Sequence, residues 1–313
     1  MPLKFVEFSK AGSCINIERG ALVVTREEAK KRIPLDTISG IMFTGYGQML
    51  SSNIISKLTE QKTVIIFTNR KFEPISMILP LMGHKRFIEN LDLQVSMSVV
   101  LKKNIWKKII KQKIKNQGSV LTTLNGNDED LFLLSKNVYS GDKRNVEARA
   151  AKIYWKKVFQ HKHIRGDKER NLNILLNYSY TVLRAIVARQ VYKSGLWPMF
   201  GVKHCNKSNV FPLVDDLIEV FRPIMDLFIS VYEKESSFEV ELNKEFKFLL
   251  AGFLNLSIPL KVGKSSLEYL IEVYIYSYLE SMKFKDNKLL KDFEINWNIY
   301  VEWIQDHVVT SNF

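Results

Sequence analysis

The stretch GVKHCNKSNVFPLVDDLIEVFRP, residues 201–223, sets one histidine a short loop ahead of a predicted helix that carries three acids. The histidine is His204, and the acids are Asp215, Asp216 and Glu219. Imidazole nitrogen and carboxylate oxygens together form a binding set for a divalent cation such as Mn²⁺ or Mg²⁺. In a chain this basic, such a set suggests phosphodiester chemistry.

The three acids fall close together on that predicted helix. At about 3.6 residues per turn, Glu219 shares a face with Asp215 and with Asp216. Like charges this close need a cation, an arginine or a lysine to neutralise them. Acids that are solvated near a helix start, where the helix dipole favours negative charge, explain the same pattern. The residues alone leave both interpretations open.

The composition is that of a basic globular protein. The 313 residues hold 46 Lys and Arg against 33 Asp and Glu, which gives a net charge of +13. Hydrophobic residues make up 46% of the chain, which is enough for a substantial core. The excess charge favours nucleic acid or an anionic membrane surface as a partner. The alternative is a basic, soluble protein whose positive charge has no role in binding a partner.

The sequence argues against several other protein classes. Its two cysteines, Cys14 and Cys205, do not suggest a disulfide framework and fit a reducing cytoplasm. No long apolar run follows basic residues at the N-terminus, so we expect no signal peptide. No apolar stretch approaches about 20 residues, so we expect no membrane span.

The chain changes character near residues 84–92. Before that point, short apolar runs predict strands over residues 5–8, 15–17, 21–24, 38–43, 64–67 and 75–79, and the spacing over residues 51–62 predicts a helix. After it, the spacing predicts helices over residues 99–115, 146–159, 171–194, 209–232, 244–255, 265–283 and 296–308. Turn residues predict a loop over residues 121–130.

The predicted helix over residues 99–115 is unusually basic. Between residues 102 and 115 it carries seven lysines and no acid, although surface helices commonly pair Lys with Glu one turn away. A solvated helix face explains this pattern, and so does contact with a DNA backbone. For the second interpretation the candidates are Lys107, Lys108 and Lys111.

A metal site needs a third contributor, and the sequence offers Glu147 in NVEARAAKIYW, residues 145–155. Ala150 and Ala151 would let a neighbouring helix approach closely. A single Glu on an amphipathic helix is usually surface decoration, so the residues alone give Glu147 little weight.

Four ordered motifs resemble the CRISPR-associated adaptation integrase, the family of the first-numbered Cas protein. They are ExxAAxxYW at residues 147–155, NxxLNYxYxVLR at 173–184, GLxPxxGxxH at 195–204 and NxFxLxDDLxExFRPxxD at 209–226. The runs RGALVV at residues 19–24 and IPLD at 33–36 are similar as well, so the resemblance covers nearly the whole chain. The second and fourth motifs look most like the type II variant.

The resemblance implies an α+β fold. A small N-terminal β-sandwich domain, residues 1–82, would precede a larger all-α-helical catalytic domain, residues 83–313. It also implies that Glu147, His204 and Glu219 are the catalytic residues and hold Mg²⁺ or Mn²⁺, with Asp216 as a neighbour or alternate ligand. Family members form a homodimer through their N-terminal domains and join a small ferredoxin-like partner, the second-numbered Cas protein, on double-stranded DNA.

The implied function is insertion of short duplex prespacers into a CRISPR array. A 3′-hydroxyl attacks a phosphodiester of the repeat, and water in its place makes the same site an endonuclease. Candidates for phosphate neutralisation are Arg165, Arg184, Lys203 and Arg222, although a salt bridge to Asp226 explains Arg222 equally well. A non-catalytic DNA-binding scaffold and a metal-dependent nuclease outside adaptation are the alternative functions.

Overall fold

The computed structural model describes residues 4–70, 72, 74–78, 85–126, 129–159, 171–204, 209–236, 240–259 and 264–310. The chain divides into two compact units, Met1–Lys85 and Arg86–Phe313. The predicted domain boundary after residue 82 falls within residues 79–84, which lie outside the described residues, so its position stays a prediction.

The first unit contains two four-stranded sheets. In chain order its strands and helix are β1 (Lys4–Phe8), β2 (Cys14–Glu18), β3 (Ala21–Arg26), β4 (Ala29–Pro34), β5 (Ile38–Phe43), β6 (Met49–Leu50), α1 (Ser52–Glu60), β7 (Val64–Thr68) and β8 (Pro74–Ile78). One sheet has the order β1-β5-β7-β8 and the other the order β4-β3-β2-β6. β1, β5 and β7 run parallel, whereas β8 pairs antiparallel with β7.

One hydrophobic cluster draws side chains from both sheets and from α1. Phe8 and Ile41 come from the first sheet, Ile15 and Leu22 from the second, and Leu58 from the helix. β2 alternates as a half-buried strand should, with Ile15 buried between two exposed neighbours. Each fully buried side chain of this size contributes about 1.5–3 kcal/mol. The cluster is the core of the first unit.

Strand β4 was not predicted because its sequence, AKKRIP, has no apolar alternation. Five of its six residues are exposed. It forms because its backbone pairs with β3, and Lys30 lies 2.9 Å from Glu18 of β2. Lysines on an edge strand also discourage pairing with other chains. The α+β class is confirmed, whereas the description of this unit as a β-sandwich stays a prediction.

The second unit is mainly helical. Its described helices are α2 (Phe87–Val95), α3 (Val99–Asn125), α4 (Asp130–Lys136), α5 (Val146–Val158), α6 (Asn171–Lys193), α7 (Pro212–Ile218), α8 (Arg222–Glu235), α9 (Lys244–Leu254), α10 (Leu267–Lys283) and α11 (Trp297–Thr310). A short antiparallel hairpin, β9 (Ser257–Pro259) and β10 (Lys264–Ser266), precedes α10. Within the described ranges, no helix combines the length and apolarity needed to cross a membrane.

The predicted loop over residues 121–130 is wrong at its start, because α3 continues to Asn125. Leu121 is fully buried, so this turn of the helix is held by packing rather than by local propensity. Gly118 lets α4 approach closely, since a Cβ there would lie 3.1 Å from the ring of Phe132. The helix ends where Gly126 adopts a φ of 86°, which favours glycine.

The predicted helix over residues 209–232 is two helices, α7 and α8. Pro223 causes the break, because proline lacks an N–H and its ring clashes with the carbonyl group four residues earlier, here that of Glu219. Glu219, Val220 and Phe221 therefore lie between the two helices. The amide of Asn116, on α3, donates to the carbonyl oxygen of Val220 at 2.7 Å, which satisfies the buried break.

Helix α3 begins at a side-chain cap that can be tested. The Ser98 hydroxyl oxygen accepts a hydrogen bond from the backbone N–H of Leu101 at 3.2 Å. We expect Ser98→Ala to lower the free energy of unfolding by about 1 kcal/mol, measured by chemical denaturation followed by circular dichroism.

Ser56→Ala is the matched control. The Ser56 hydroxyl lies on an exposed face of α1 and only bonds back to the carbonyl oxygen of Ser52 at 3.4 Å. Alanine is the better helix former there, so stability should hold or rise. Equal losses in the two variants would contradict the capping role of Ser98.

Candidate metal centre and nucleic-acid interface

Two acids from separate parts of the chain meet at one lysine. Glu147 lies in the first turn of α5, and Glu219 lies in the break after α7. The Nζ of Lys113, on α3, donates to Oε1 of Glu147 at 2.6 Å and lies 2.5 Å from Oε2 of Glu219. The Lys113 and Glu219 side chains are only 13% and 9% exposed. The fold therefore brings Glu147 and Glu219 together around one largely shielded positive charge.

The charge of Glu219 is compensated from two sides. Nη1 of Arg222 donates to its Oε1 at 3.1 Å, while Lys113 faces its Oε2. Burial alone raises the pKa of a carboxyl group, but Arg222 and Lys113 outweigh burial and lower the pKa of Glu219 to about 2. Burial also opposes the charge of Lys113, yet Glu219 and Glu147 raise its pKa. All three groups are therefore ionised at neutral pH.

Arg222 stacks on a tyrosine that belongs to a buried hydrogen-bond network. Its guanidinium carbon lies 4.2 Å from the centroid of the Tyr180 ring. The Tyr180 hydroxyl donates to Asp226, which also accepts from the Tyr154 hydroxyl at 3.0 Å. Burial raises the pKa of Asp226 to about 6, although the hydroxyl of Tyr180 and the charge of Arg222 oppose this rise. Arg222 therefore pairs with Glu219, and Asp226 holds the tyrosine on which the arginine rests.

Asp216 orients His204. Nδ1 of His204 lies 2.5 Å from Oδ1 of Asp216, and Oδ2 of Asp216 accepts from the backbone N–H groups of Val202 at 2.6 Å and Lys203 at 2.8 Å. Asp216 is fully buried, whereas the His204 side chain is 48% exposed. The hydrogen bond to Asp216 raises the pKa of His204 against the effect of burial. With Nδ1 engaged, Nε2 is the nitrogen left to bind a metal, as in carboxylate–histidine–metal sites.

Two close contacts fix the loop that carries His204. A Cβ at Gly201 would lie 2.5 Å from the carbonyl oxygen of His204 and 3.0 Å from Oδ2 of Asp216, so only glycine permits this loop to close over Asp216. The ring of Trp106, on α3, meets the imidazole edge-on, with centroids 5.6 Å apart. Helix α3 thus supports His204 as well as the two glutamates.

The donor types suit a divalent cation. Two carboxylates already converge on one positive charge, and a carboxylate orients the neighbouring imidazole. Oε2 of Glu219 is buried and has no well-formed hydrogen bond, despite its ion pair with Lys113. Over the residues that the structure describes, however, no three His, Cys, Asp or Glu side chains are gathered closely enough to hold a metal ion. The three predicted ligands, and Asp216 as an alternate, stay predictions.

Three lysines predicted to contact DNA line a groove of about 390 Å³ along α3: Lys107, Lys108 and Lys111. Lys108 donates to the backbone carbonyl of Leu290 and lies 3.7 Å from Asp292. In the part of the chain that the structure describes, Lys107 and Lys111 form no ion pair with a carboxylate. Their charges are therefore available to a polyanion.

The remaining predicted DNA contacts have different surroundings. Arg184 makes a bidentate pair with Asp215, at 2.7 and 2.8 Å, so this acid is already neutralised within the protein. Lys203 is exposed, next to His204. Arg165 lies outside the described residues. The roles of these residues in binding DNA stay predictions.

Sequence reasoning missed the contribution of α3 to the site. In the sequence Lys113 is one of seven lysines on this helix, and nothing marks it or Asn116 as a residue of the site. Spacing gives no signal, because Lys103 and Lys107 stand one turn apart on the same helix just as Gln112 and Asn116 do. Gln112 and Asn116 are both buried, and the Gln112 amide donates to the Asn116 oxygen at 2.8 Å.

Proteins related in sequence identify the family. Residues 8–244 match the family model described as CRISPR associated protein Cas1. The CRISPR-associated endonuclease Cas1 of Neisseria meningitidis serogroup C is 32% identical over 90% of this chain and 92% of its own length. The CRISPR-associated endonuclease Cas1 1 of Francisella tularensis subsp. novicida is 23% identical over 88% of this chain and 94% of its own length.

Solved structures share the fold. A CAS1 protein from Thermotoga maritima has a TM-score of 0.72 at 19% identity, over 90% of this chain and 97% of its own. A casposase bound to an integration product has a TM-score of 0.70 at 17% identity, over 99% of each chain. The family predicted from the motifs is confirmed, and the type II variant is consistent with the Neisseria meningitidis relative. The chain belongs to the Cas1 family of CRISPR-associated proteins.

Proposed function

We propose that this chain is a metal-dependent DNA endonuclease and integrase that inserts short duplex prespacers into a CRISPR array. The observation that carries the proposal is the meeting of Glu147 and Glu219 at one largely shielded positive charge, within the same helical unit as a carboxylate-oriented His204. The name endonuclease, carried by the relative that is 32% identical, supports an enzymatic role rather than that of a passive scaffold.

The metal would be Mg²⁺ or Mn²⁺, held by Glu147, His204 and Glu219. When bound there, such an ion polarises a phosphoryl oxygen and stabilises charge on the attacking or leaving oxygen. The protein itself keeps these ligands in place and correctly oriented. Arg222 keeps Glu219 ionised and in place, and Asp216 fixes the orientation of the His204 ring.

The integration step exchanges one phosphodiester for another. The 3′-oxygen of the prespacer bonds to the phosphorus of a repeat phosphodiester, and the bond from that phosphorus to the 3′-oxygen of the repeat breaks. The proton of the attacking hydroxyl is released, and the leaving oxygen takes up a proton. Water in place of the prespacer hydroxyl gives hydrolysis of the same bond, which is the endonuclease reaction.

We also propose that the chain binds double-stranded DNA and works within a protein assembly. Lys107 and Lys111 offer charge to phosphates, and Lys203 stands beside the candidate ligand His204. Solved structures with this fold include a TtCas1–DNA complex, with a TM-score of 0.54, and a Cas6-RT-Cas1--Cas2 complex, with a TM-score of 0.74. We extend to this chain a homodimer formed through a β-sandwich of the first unit, joined to a small ferredoxin-like Cas2.

Removal of a ligand should separate chemistry from DNA binding. We expect His204→Ala and Glu219→Gln to abolish joining of a labelled duplex to a supercoiled repeat plasmid in the presence of Mn²⁺ and Cas2. Duplex binding, measured by fluorescence anisotropy, should change less than about threefold, because phosphate contacts carry affinity. Gln is chosen at position 219 because it keeps the size of the side chain, and its amide oxygen still accepts from one of the two cations, Lys113 or Arg222.

Glu272→Gln is the control, since Glu272 forms a half-exposed pair with Lys193 on the surface of α10. It should integrate as the unchanged protein does. Full integration by either ligand variant would refute the site. Activity that persists in EDTA would point to metal-independent chemistry, and nicking without joining would point to a nuclease outside adaptation.

Asp216 acts on the metal through His204. We expect Asp216→Asn to weaken Mn²⁺ binding by about 10–100-fold, because the amide no longer fixes the imidazole as the carboxylate does. Titration of the metal-stripped protein, followed by the electron paramagnetic resonance signal of free Mn²⁺, gives the affinity. Asp215→Asn, which instead disturbs the pair with Arg184, should leave Mn²⁺ affinity within about twofold. Equal losses in the two variants would mean that the acids act only on general stability.

A further inference from the structure

Lys113 lies between Glu147 and Glu219, the two carboxylates that the proposed metal site would use. Its Nζ lies 2.6 Å from Oε1 of Glu147 and 2.5 Å from Oε2 of Glu219, one oxygen from each candidate ligand. The side chain is 13% exposed, so the ammonium is enclosed rather than lying at the surface. It comes from α3, whereas the acids come from α5 and from the break after α7.

We propose that the Lys113 ammonium is a resident cation that a divalent metal ion must displace from Glu147 and Glu219. The inference rests on the proposed metal site, and it adds a step that the donor set alone does not contain. Metal binding is then an exchange of one cation for another. In the metal-free protein, Lys113 keeps the two carboxylates together without mutual repulsion.

Geometry argues against simultaneous occupancy. Mg²⁺ binds carboxylate oxygens at about 2.0–2.1 Å. An ammonium already 2.5–2.6 Å from both oxygens lies in the space that such an ion and its remaining ligands need. Two positive charges in contact within a poorly solvated site repel strongly. One of the two cations has to leave, and the flexible four-carbon side chain of Lys113 can move its ammonium away.

Arg222 does not have this role, although it also contacts Glu219. It binds the other oxygen, Oε1, and its guanidinium is held on the Tyr180 ring at 4.2 Å. Glu219 therefore keeps one compensating charge when Lys113 leaves. Arg222 is therefore the fixed cation on Oε1 of Glu219, and Lys113 is the exchangeable cation on Oε2.

A direct test follows Lys113 in the unchanged protein. Metal-stripped protein is treated with formaldehyde and cyanoborohydride, with and without saturating Mn²⁺, and the methylation of each lysine is read by mass spectrometry. We expect Lys113 to be protected without metal and to become at least about fivefold more reactive with Mn²⁺. Lys193, paired with Glu272 at 2.9 Å, is the internal control and should not change.

A second test removes the competitor. Lys113→Met and Lys113→Gln should bind Mn²⁺ at least about tenfold more tightly than the unchanged protein, because no ion pair has to be broken first. Without metal both variants should melt at lower temperature, and Mn²⁺ should raise their melting temperature more than that of the unchanged protein. Lys193→Met should show neither effect. If Lys113→Met does not fold, Lys113→Gln and the labelling experiment still decide the question.

The outcomes separate this inference from the proposed function. Mn²⁺ binding with Lys113 still protected, or with unchanged affinity in both variants, would overturn the exchange and leave the metal site intact. Failure of the unchanged protein and of both variants to bind Mn²⁺ would overturn the metal site as well. Increased labelling together with tighter binding would establish the exchange.

Discussion

Glu219 is a carboxylate buried at a helix break, and it stays ionised because positive charge reaches both of its oxygens; much of the second unit follows from this constraint. Glu219 is buried, and Lys113 and Arg222 reach its two oxygens from different helices. A buried carboxylate left without any compensating charge would cost about 3–5 kcal/mol. Helices α3 and α8 are therefore tied to the same carboxylate, and neither can move without disturbing it.

The break itself makes a second demand on α3. Val220 presents a buried carbonyl group, which Asn116 satisfies, and the amide of Gln112 bonds both to Asn116 and to the carbonyl oxygen of Phe293. A buried polar group without a partner costs about 1–3 kcal/mol. One side of α3 thus neutralises the charge at the break and satisfies its backbone. Lys107 and Lys111 extend from the same helix into a groove where a polyanion can reach them.

The sequence predicts the regular parts of this arrangement well. Helical spacing places α5 and α6 to within one residue at their ends, because their apolar faces are continuous. It does not place the break after Ile218, since apolar residues continue through it and Pro223 alone marks the change. Nor does it single out Lys113 from the other lysines of α3. The partners of a charge on another helix are set by packing, which local spacing does not record.

The three acids of residues 215–219 also show that local spacing does not reveal the partner of a charged residue. Spacing groups them, but the short helix α7 packs against both α3 and α6, so each acid meets a different element. Asp215 pairs with Arg184, Asp216 with the loop and ring of His204, and Glu219 with two cations. Asp216 already gives both oxygens to hydrogen bonds that hold the loop. Among the described residues, Oε2 of Glu219 faces an ammonium on a flexible stem, which a metal can replace without dismantling the fold. That difference favours Glu219 over Asp216 as the ligand.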